Sequence, residues 1–160
     1  MKKYIAIALV ISCLFSISCS RRSTSAYYNW ETIFVKSEFN GSEVYKYFGA
    51  GKNKSESIHQ SEVDVLKQLI FKGIAGSPDP RPLVFEVNAE EKYRNYFATF
   101  FQDGGDYKNF VELYRSGNLN KNDRIKTGKR RDRKKKGIEI IVKRADLRNA
   151  LESAKIIPKN

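Results

Sequence analysis

Cysteine and histidine are scarce in this 160-residue chain, and their scarcity removes several classes of chemistry. The two cysteines, Cys13 and Cys19, both lie near the N-terminus, and the single histidine is His59. A domain that follows Cys19 has no internal disulfide and no cysteine-based zinc site. A catalytic triad or a histidine-based zinc site also lacks the residues from which to assemble. We therefore expect no enzymatic activity and no cofactor, and we interpret His59, beside Gln60 and Ser61, as a solvated surface residue.

Two short motifs look like ligand-binding loops but lack the spacing that such loops require. Residues 103–106, with the sequence DGGD, do not have the ligand spacing of a calcium loop. We interpret them as a glycine turn followed by an aspartate N-cap. Residues 49–52, with the sequence GAGK, lack both the spacer and the Lys-Ser/Thr ending of a phosphate-binding loop. Neither motif predicts a bound ion or nucleotide.

The chain also lacks an apolar run of the about 20 residues that a membrane-spanning helix needs. Residues 4–18 carry no charge and are mostly apolar, but serines interrupt them. Lys2 and Lys3 come directly before this run. A short apolar region behind a positive N-terminus is typical of an export signal, so we predict a signal peptide over residues 1–18.

The end of this apolar region resembles the lipobox of bacterial lipoproteins, in which the chain is cleaved before a cysteine that is then acylated. The sequence SISC at residues 16–19 carries the resemblance, which implies lipidation at Cys19. Two or three acyl chains are enough for stable anchoring. The sequence VISC at residues 10–13 also fits the pattern, but cleavage there would start the mature chain with the apolar pair Leu14-Phe15. We therefore prefer Cys19 over Cys13 and over a form without lipid that is secreted or membrane-anchored.

Residues 19–29 are a polar tether between this anchor and the rest of the chain. By the same resemblance, Ser20 rather than aspartate after the cysteine implies the outer membrane. No acidic cluster follows Ser20, which favours a domain that faces the periplasm over one displayed on the cell surface. The membrane is then a partner through the lipid on Cys19.

Residues 30–160 predict one α+β domain, a small and largely antiparallel sheet with helices packed on one face. Strand-forming residues at 30–39 and 44–48 flank Asn40-Gly41, the strongest short hairpin signal. Further strands are predicted at 83–87, around 124–127 and at 138–142. We see no internal repeat.

Paired capping residues and apolar stripes predict the helices. Asn53 with Glu56 predicts the start of a helix that Gly73 and Gly76 end, and Asn88 with Glu91 predicts a second start. Residues 107–114 predict a short helix, and residues 145–155 predict the last one.

Aromatic residues form the clearest helical stripe in the chain. The stripe comprises Tyr93, Tyr96, Phe97, Phe100 and Phe101. We interpret it as a face of the core, and its alternative is the wall of a ligand pocket. Whether Tyr93, Tyr96 and Tyr107 line a cavity or are packed shut distinguishes the two.

Positive charge is concentrated in residues 121–137, which we predict to be a basic loop and call the basic segment. The whole chain has a net charge of +12, and ten Lys and Arg against two Asp give this segment +8. The predicted contact residues are Lys129, Arg130, Arg131, Arg133, Lys134, Lys135 and Lys136. The alternatives are a solvated hairpin tip and an electrostatic contact with an anionic envelope polymer or an acidic protein. We expect no nucleic acid, because no aromatic residue is interleaved for base stacking.

Three blocks of sequence together resemble small uncharacterised envelope lipoproteins of Gram-negative bacteria. The blocks are FKGI at residues 71–74, EKYRNYF at 91–97 with FFQDGG at 100–105, and VKRADL at 142–147. The order strand, helix, strand is also similar to that of the N-terminal domain of flagellar assembly protein T. These are packing motifs, so the resemblance implies a lipoprotein domain without implying a reaction.

Taken together, these patterns favour a membrane-anchored, periplasm-facing lipoprotein that acts as a non-enzymatic adaptor or scaffold in the cell envelope. The alternative function is a small-ligand-binding or accessory domain of an envelope enzyme complex, with the aromatic stripe as a pocket wall.

Overall fold

The computed structural model describes residues 32–49, 53–117, 124–126 and 134–159. The predicted signal peptide, the tether and Cys19 lie outside the described residues. Four of the predicted contact residues of the basic segment also lie outside them: Lys129, Arg130, Arg131 and Arg133.

Five strands form one sheet in which every pairing is antiparallel. They are β1 (Ile33–Ser37), β2 (Glu43–Gly49), β3 (Val111–Leu113), β4 (Arg124–Lys126) and β5 (Lys134–Val142). The order is β1-β2-β5-β3, and β4 pairs with the part of β5 that β3 leaves open. The central strand β5 is therefore bordered by β2 on one side and by two short strands on the other.

Four α-helices and two short 3₁₀ helices complete the described fold. They are α1 (Lys54–Phe71), α2 (Ala89–Lys92), α3 (Arg94–Phe100), α4 (Arg144–Ser153) and the 3₁₀ helices Asp106–Phe110 and Tyr114–Gly117.

The predicted N-terminal hairpin is confirmed. Gly41 has a φ of +80°, a conformation that favours glycine, and its amide donates to the Glu38 carbonyl at 3.0 Å. The Ser42 amide donates to the Asn40 side chain at 3.0 Å. The turn thus brings β2 alongside β1, with a bulge between Phe34 and Lys36.

Helix α1 begins and ends where its capping residues predict. The Asn53 side chain accepts the Glu56 amide at 2.8 Å, which satisfies one of the free N–H groups of the first turn. After Phe71 the amides of Lys72 and Gly73 both donate to the Gln68 carbonyl, and Gly73 has a φ of +76°. This left-handed glycine ends the helix.

The core lies between the helices and one face of the sheet, which confirms the α+β class with helices on one face. The sheet contributes Tyr45, Tyr47 and Ile140 to this core, and the helices contribute Leu66 and Leu147. On the opposite face, Lys46 forms an ion pair with Glu139 at 3.4 Å.

The predicted strand at residues 83–87 is wrong. Leu83 and Val84 are buried, but their amides donate to the Leu69 and Ile70 carbonyls at the end of α1. These two amides therefore bond to the end of a helix and not to a neighbouring strand. Beyond them Phe85 is 68% exposed, so the apolar run does not continue into the core.

Two predicted helical features are also wrong. Residues 107–114 are not one helix, because a 3₁₀ turn ends at Phe110 and β3 follows it. The strand forms because Val111 pairs with Val142 on β5. Asn88 precedes α2 in a left-handed conformation and makes no side-chain cap, so the second capping signature fails.

The basic segment is not entirely a loop. Strand β5 begins at Lys134, four residues before the predicted start at Ile138, and Lys134–Lys136 pair with β4. The strand around residues 124–127 is confirmed as β4, Arg124–Lys126.

Candidate functional site

The aromatic stripe is packed into the core. Phe97 is 3% exposed and Phe100 is 2% exposed. The Phe97 ring meets Phe71 edge-on at 4.8 Å between centroids, and Phe100 stacks on Phe110 at 5.9 Å. Edge-on and offset rings at these separations are the favoured aromatic geometries. The prediction that Phe97 and Phe100 belong to the core is confirmed.

The three tyrosines that distinguish a core from a pocket have different environments. Tyr107 is fully buried, and burial raises the pKa of its hydroxyl. Tyr96 is half-buried and stacks on Phe100 at 5.6 Å. Tyr93 lies at the boundary, where its hydroxyl donates to Glu86 at 3.3 Å. None of the three lines either of the two clefts described below.

His59 is not a solvated surface residue. It is half-buried, and its Nδ1 lies 2.6 Å from the Tyr107 hydroxyl. Lys108 on the same 3₁₀ turn pairs with the buried Glu62 carboxylate, and its Nζ lies 5.1 Å from the centre of the Tyr107 ring. Burial lowers the pKa of Lys108, but the hydrogen bonds to Glu62 and Tyr107 and the charge on Glu62 together outweigh burial and leave that pKa raised. These four residues join α1 to the 3₁₀ turn that precedes β3.

A second buried polar group lies where β2 begins and β5 ends. The Tyr45 hydroxyl donates to the buried Glu43 carboxylate. Burial is the main cause that raises the pKa of Tyr45 above its ordinary value, and this hydrogen bond is the second. Arg144 Nη1 lies 3.6 Å from the same carboxylate, and Arg144 Nη2 lies 3.1 Å from Asp79. The Arg144 guanidinium thus joins α4 to β2 and to the connector after α1.

Sequence reasoning did not identify this group. Glu43 and Tyr45 are two residues apart on a strand, a spacing that places both on the core face. That alternation was the available signal, but nothing local to Glu43 indicates Arg144 as its partner.

Two open clefts lie near α2. One, of about 420 Å³, lies between α1 and α3 with Phe97 and Phe101 among its walls and the Lys67–Glu90 ion pair at its rim. The other, of about 520 Å³, follows the segment after Pro82 and includes Phe85 and Val87. Both are grooves on the surface and not enclosed cavities.

The motif at residues 103–106 is a glycine turn, as predicted. Gly104 has a φ of +73°, and a Cβ on Gly105 would lie 2.5 Å from the Phe100 carbonyl oxygen. The predicted N-cap is wrong, because Asp106 is the first residue of the 3₁₀ turn and Gly105 precedes it without a side-chain cap. Within the described ranges, no three His, Cys, Asp or Glu side chains converge as a metal site.

In the described part of the basic segment, β4 pairs with the start of β5. Arg124 is paired with Lys136, and Lys126 is paired with Lys134. Directly opposed like charges destabilise a ladder. Among the described helices, none is long and apolar enough to cross a membrane.

Comparison with known proteins gives no family for this fold. No protein-family model matches the chain, and no curated protein and no solved structure matches it.

Proposed function

We propose that this chain is a membrane-anchored lipoprotein of the cell envelope, acylated at Cys19 and facing the periplasm from the outer membrane. In this role it is a non-enzymatic adaptor or scaffold that docks an envelope protein or an anionic envelope polymer, partly through the basic segment.

One observation carries the choice of an adaptor over a ligand-binding domain: the fully buried Tyr107. Its ring contacts Lys108 and its hydroxyl bonds His59, so the residue belongs to the packed interior. A pocket wall that included Tyr93, Tyr96 and Tyr107 would have to leave all three open, and Tyr107 is closed. The concentration of charge in the basic segment then supports recognition through the surface.

The test uses photocrosslinking in intact cells. A crosslinking residue replaces Phe85 in the wild-type chain and in a variant with Arg130, Arg131, Lys134 and Lys135 all changed to Gln. A second pair of strains carries the crosslinker in place of Lys136. We expect one reproducible protein or polymer adduct that weakens in the Gln variant.

A matched control variant removes the same number of positive charges from another part of the surface. Lys72, Arg81, Lys92 and Arg94 lie outside the basic segment and are exposed, so changing these four to Gln removes the same charge elsewhere. The adduct should survive in this control. An adduct that is unchanged in the basic-segment variant, or that is lost equally in both variants, contradicts docking through the basic segment.

The alternative function, a small-ligand-binding domain, is supported by the groove beside Phe97 and Phe101. A small ligand that binds there should protect Lys67 from acylating reagents and raise the melting temperature. Its binding should disappear when Phe101 is changed to Ala and should be indifferent to the basic-segment variant.

A further inference from the structure

The chain enters the sheet at the same end from which the basic ribbon projects. Strand β1 is antiparallel to β2, and β2 is antiparallel to β5, so β1 and β5 begin at the same end. Thr32 precedes β1 at that end, and β5 begins there with Lys134.

The register places the ribbon beyond the other strands. Gly49, the last residue of β2, is opposite Lys136, and Ile33 at the start of β1 is opposite Lys46. Lys134 therefore lies two residues beyond the end of β2, a distance of about 7 Å along the strand. The β4–β5 ribbon is the part of the described sheet that extends farthest in this direction.

Four basic residues occupy opposed positions on this ribbon. The two pairs are Arg124 with Lys136 and Lys126 with Lys134. Positions two apart on a strand share a face, so all four belong to one face of the ribbon. Four positive charges at neighbouring positions of the ladder favour the approach of a surface of opposite charge.

We infer that the basic end of the sheet is a membrane-docking surface that binds the anionic phospholipid headgroups of the bilayer holding the chain. The inference rests on the proposed anchor at Cys19 and adds an orientation and a lipid class to it. Residues 20–31 join Cys19 to the start of β1 and span at most about 40 Å, so the entry end can reach the bilayer.

Tethering makes weak charge contacts sufficient. A basic residue near an anionic leaflet strengthens membrane binding about five-fold. Four such residues shift the balance between docked and undocked domain by roughly a hundred-fold or more, and the anchor keeps the local lipid concentration high. Binding of this kind weakens as salt shortens the Debye length to about 3 Å near 1 M.

The opposite end of the sheet provides an internal reference. Phe39 lies in the β1–β2 turn, at the level where β2 begins and β5 ends, and it is fully exposed. A docked domain therefore holds position 39 far from the bilayer and position 125 near it.

The experiment measures energy transfer from the protein to acceptor-labelled lipid. A fluorescent amino acid replaces either Ile125 or Phe39 in the full chain, purified from membranes and reconstituted into vesicles. One set of vesicles contains only phosphatidylcholine, and the other also contains phosphatidylglycerol. We expect strong transfer from position 125 and weak transfer from position 39 with phosphatidylglycerol, and loss of the difference in phosphatidylcholine or at high salt.

Two variants complete the test. Changing Arg124, Lys126, Lys134 and Lys136 to Gln should abolish the difference, while the four-residue control with Lys72, Arg81, Lys92 and Arg94 changed to Gln should keep it. Equal transfer from both positions, or transfer from position 125 that is indifferent to phosphatidylglycerol, overturns the inference. Acyl content measured by mass spectrometry on the same sample reports the anchor independently, so failure of the anchor and failure of docking are separate results.

Discussion

At the scale of single residues, the Asp64 carboxyl shows how burial changes a pKa. Asp64 accepts a hydrogen bond from the Tyr47 hydroxyl at 2.9 Å. Burial raises the pKa of the Asp64 carboxyl, although the bond from Tyr47 and the charge on Lys67 oppose this rise. The folded protein therefore holds this proton more tightly than the unfolded chain does.

The first prediction follows from the sign of this shift. A carboxyl whose pKa is higher in the folded state makes folding less favourable as the pH rises above its unfolded value, near 3.8. Asp64→Asn should therefore raise the free energy of unfolding at pH 7, and the gain should vanish as the pH falls below that value. Urea unfolding across this pH range measures it.

Tyr47→Phe provides the opposing control. It removes the donor that stabilises the charged carboxylate, so it should lower stability at pH 7. If Asp64→Asn destabilises at neutral pH, the carboxylate is needed in its charged form and the sign is wrong.

Aromatic burial supports a second prediction. Changing Phe97 or Phe100 to Ala should cost about 3–5 kcal/mol of unfolding free energy, because each change leaves a cavity in the core. Phe85→Ala should cost little, because Phe85 is 68% exposed. Equal effects at Phe85 and Phe97 in thermal melts would contradict the assignment of the core.

At the scale of secondary-structure elements, the end of α1 depends on a glycine that also permits close packing. Gly73 is left-handed, and a Cβ there would lie 2.0 Å from the Pro80 carbonyl oxygen. Gly76 has nearly the same φ, at +81°, but a Cβ there meets nothing within 4 Å.

The third prediction compares alanine at these two positions. Gly76→Ala should cost about 1–2 kcal/mol, the strain of a left-handed residue with a Cβ. Gly73→Ala should cost clearly more, because the backbone around Pro80 must also move. Chemical unfolding of both variants checks it, and a smaller loss at Gly73 than at Gly76 would show that the connector yields easily.

Features with strong local signals could mostly be predicted from the sequence, although the capping signature at Asn88 failed. Strands could be predicted where alternation marks them, as in β5, and not where distant pairing alone makes the strand. The turn at Asn40-Gly41 and the cap at Asn53 depend on neighbours within a few residues. Val111–Leu113, by contrast, is a strand because it pairs with residues 140–142 of β5. Phe110 before this strand and Tyr114 after it have a helical spacing, but the pairing with β5 overrides it.

The same distinction applies to the site. The position of Phe97 in the core follows from its helical stripe, whereas the contact of His59 with Tyr107 joins residues 48 apart. Sequence around His59 contains no sign of that partner. The charge of the basic segment is evident from the sequence, but the opposed positions of Arg124 and its three lysine neighbours appear only with the register of β4 and β5.

At the scale of the whole molecule, the proposed anchor yields a fourth prediction. Metabolic labelling with a palmitate analogue should mark the protein. Cys19→Ala should abolish the label, because it removes the acylated thiol, while Cys13→Ala should leave it. In-gel detection of the labelled protein measures both. Loss of the label with Cys13→Ala alone would move the lipidation site to Cys13.

The pairing of β2 with β5 has a consequence for the order of folding. Gly49 and Lys136 are neighbours in the sheet but 87 residues apart in the chain. Bringing such distant segments together costs loop-closure entropy before any contact repays it, so we expect the β2–β5 pairing to form after the local β1–β2 hairpin. Under the export proposed above, the β1–β2 hairpin emerges first, and its β2 edge stays unpaired until β5 has followed. During that interval an unpaired edge can join another chain, and a chaperone that covers it would raise the yield of folded protein.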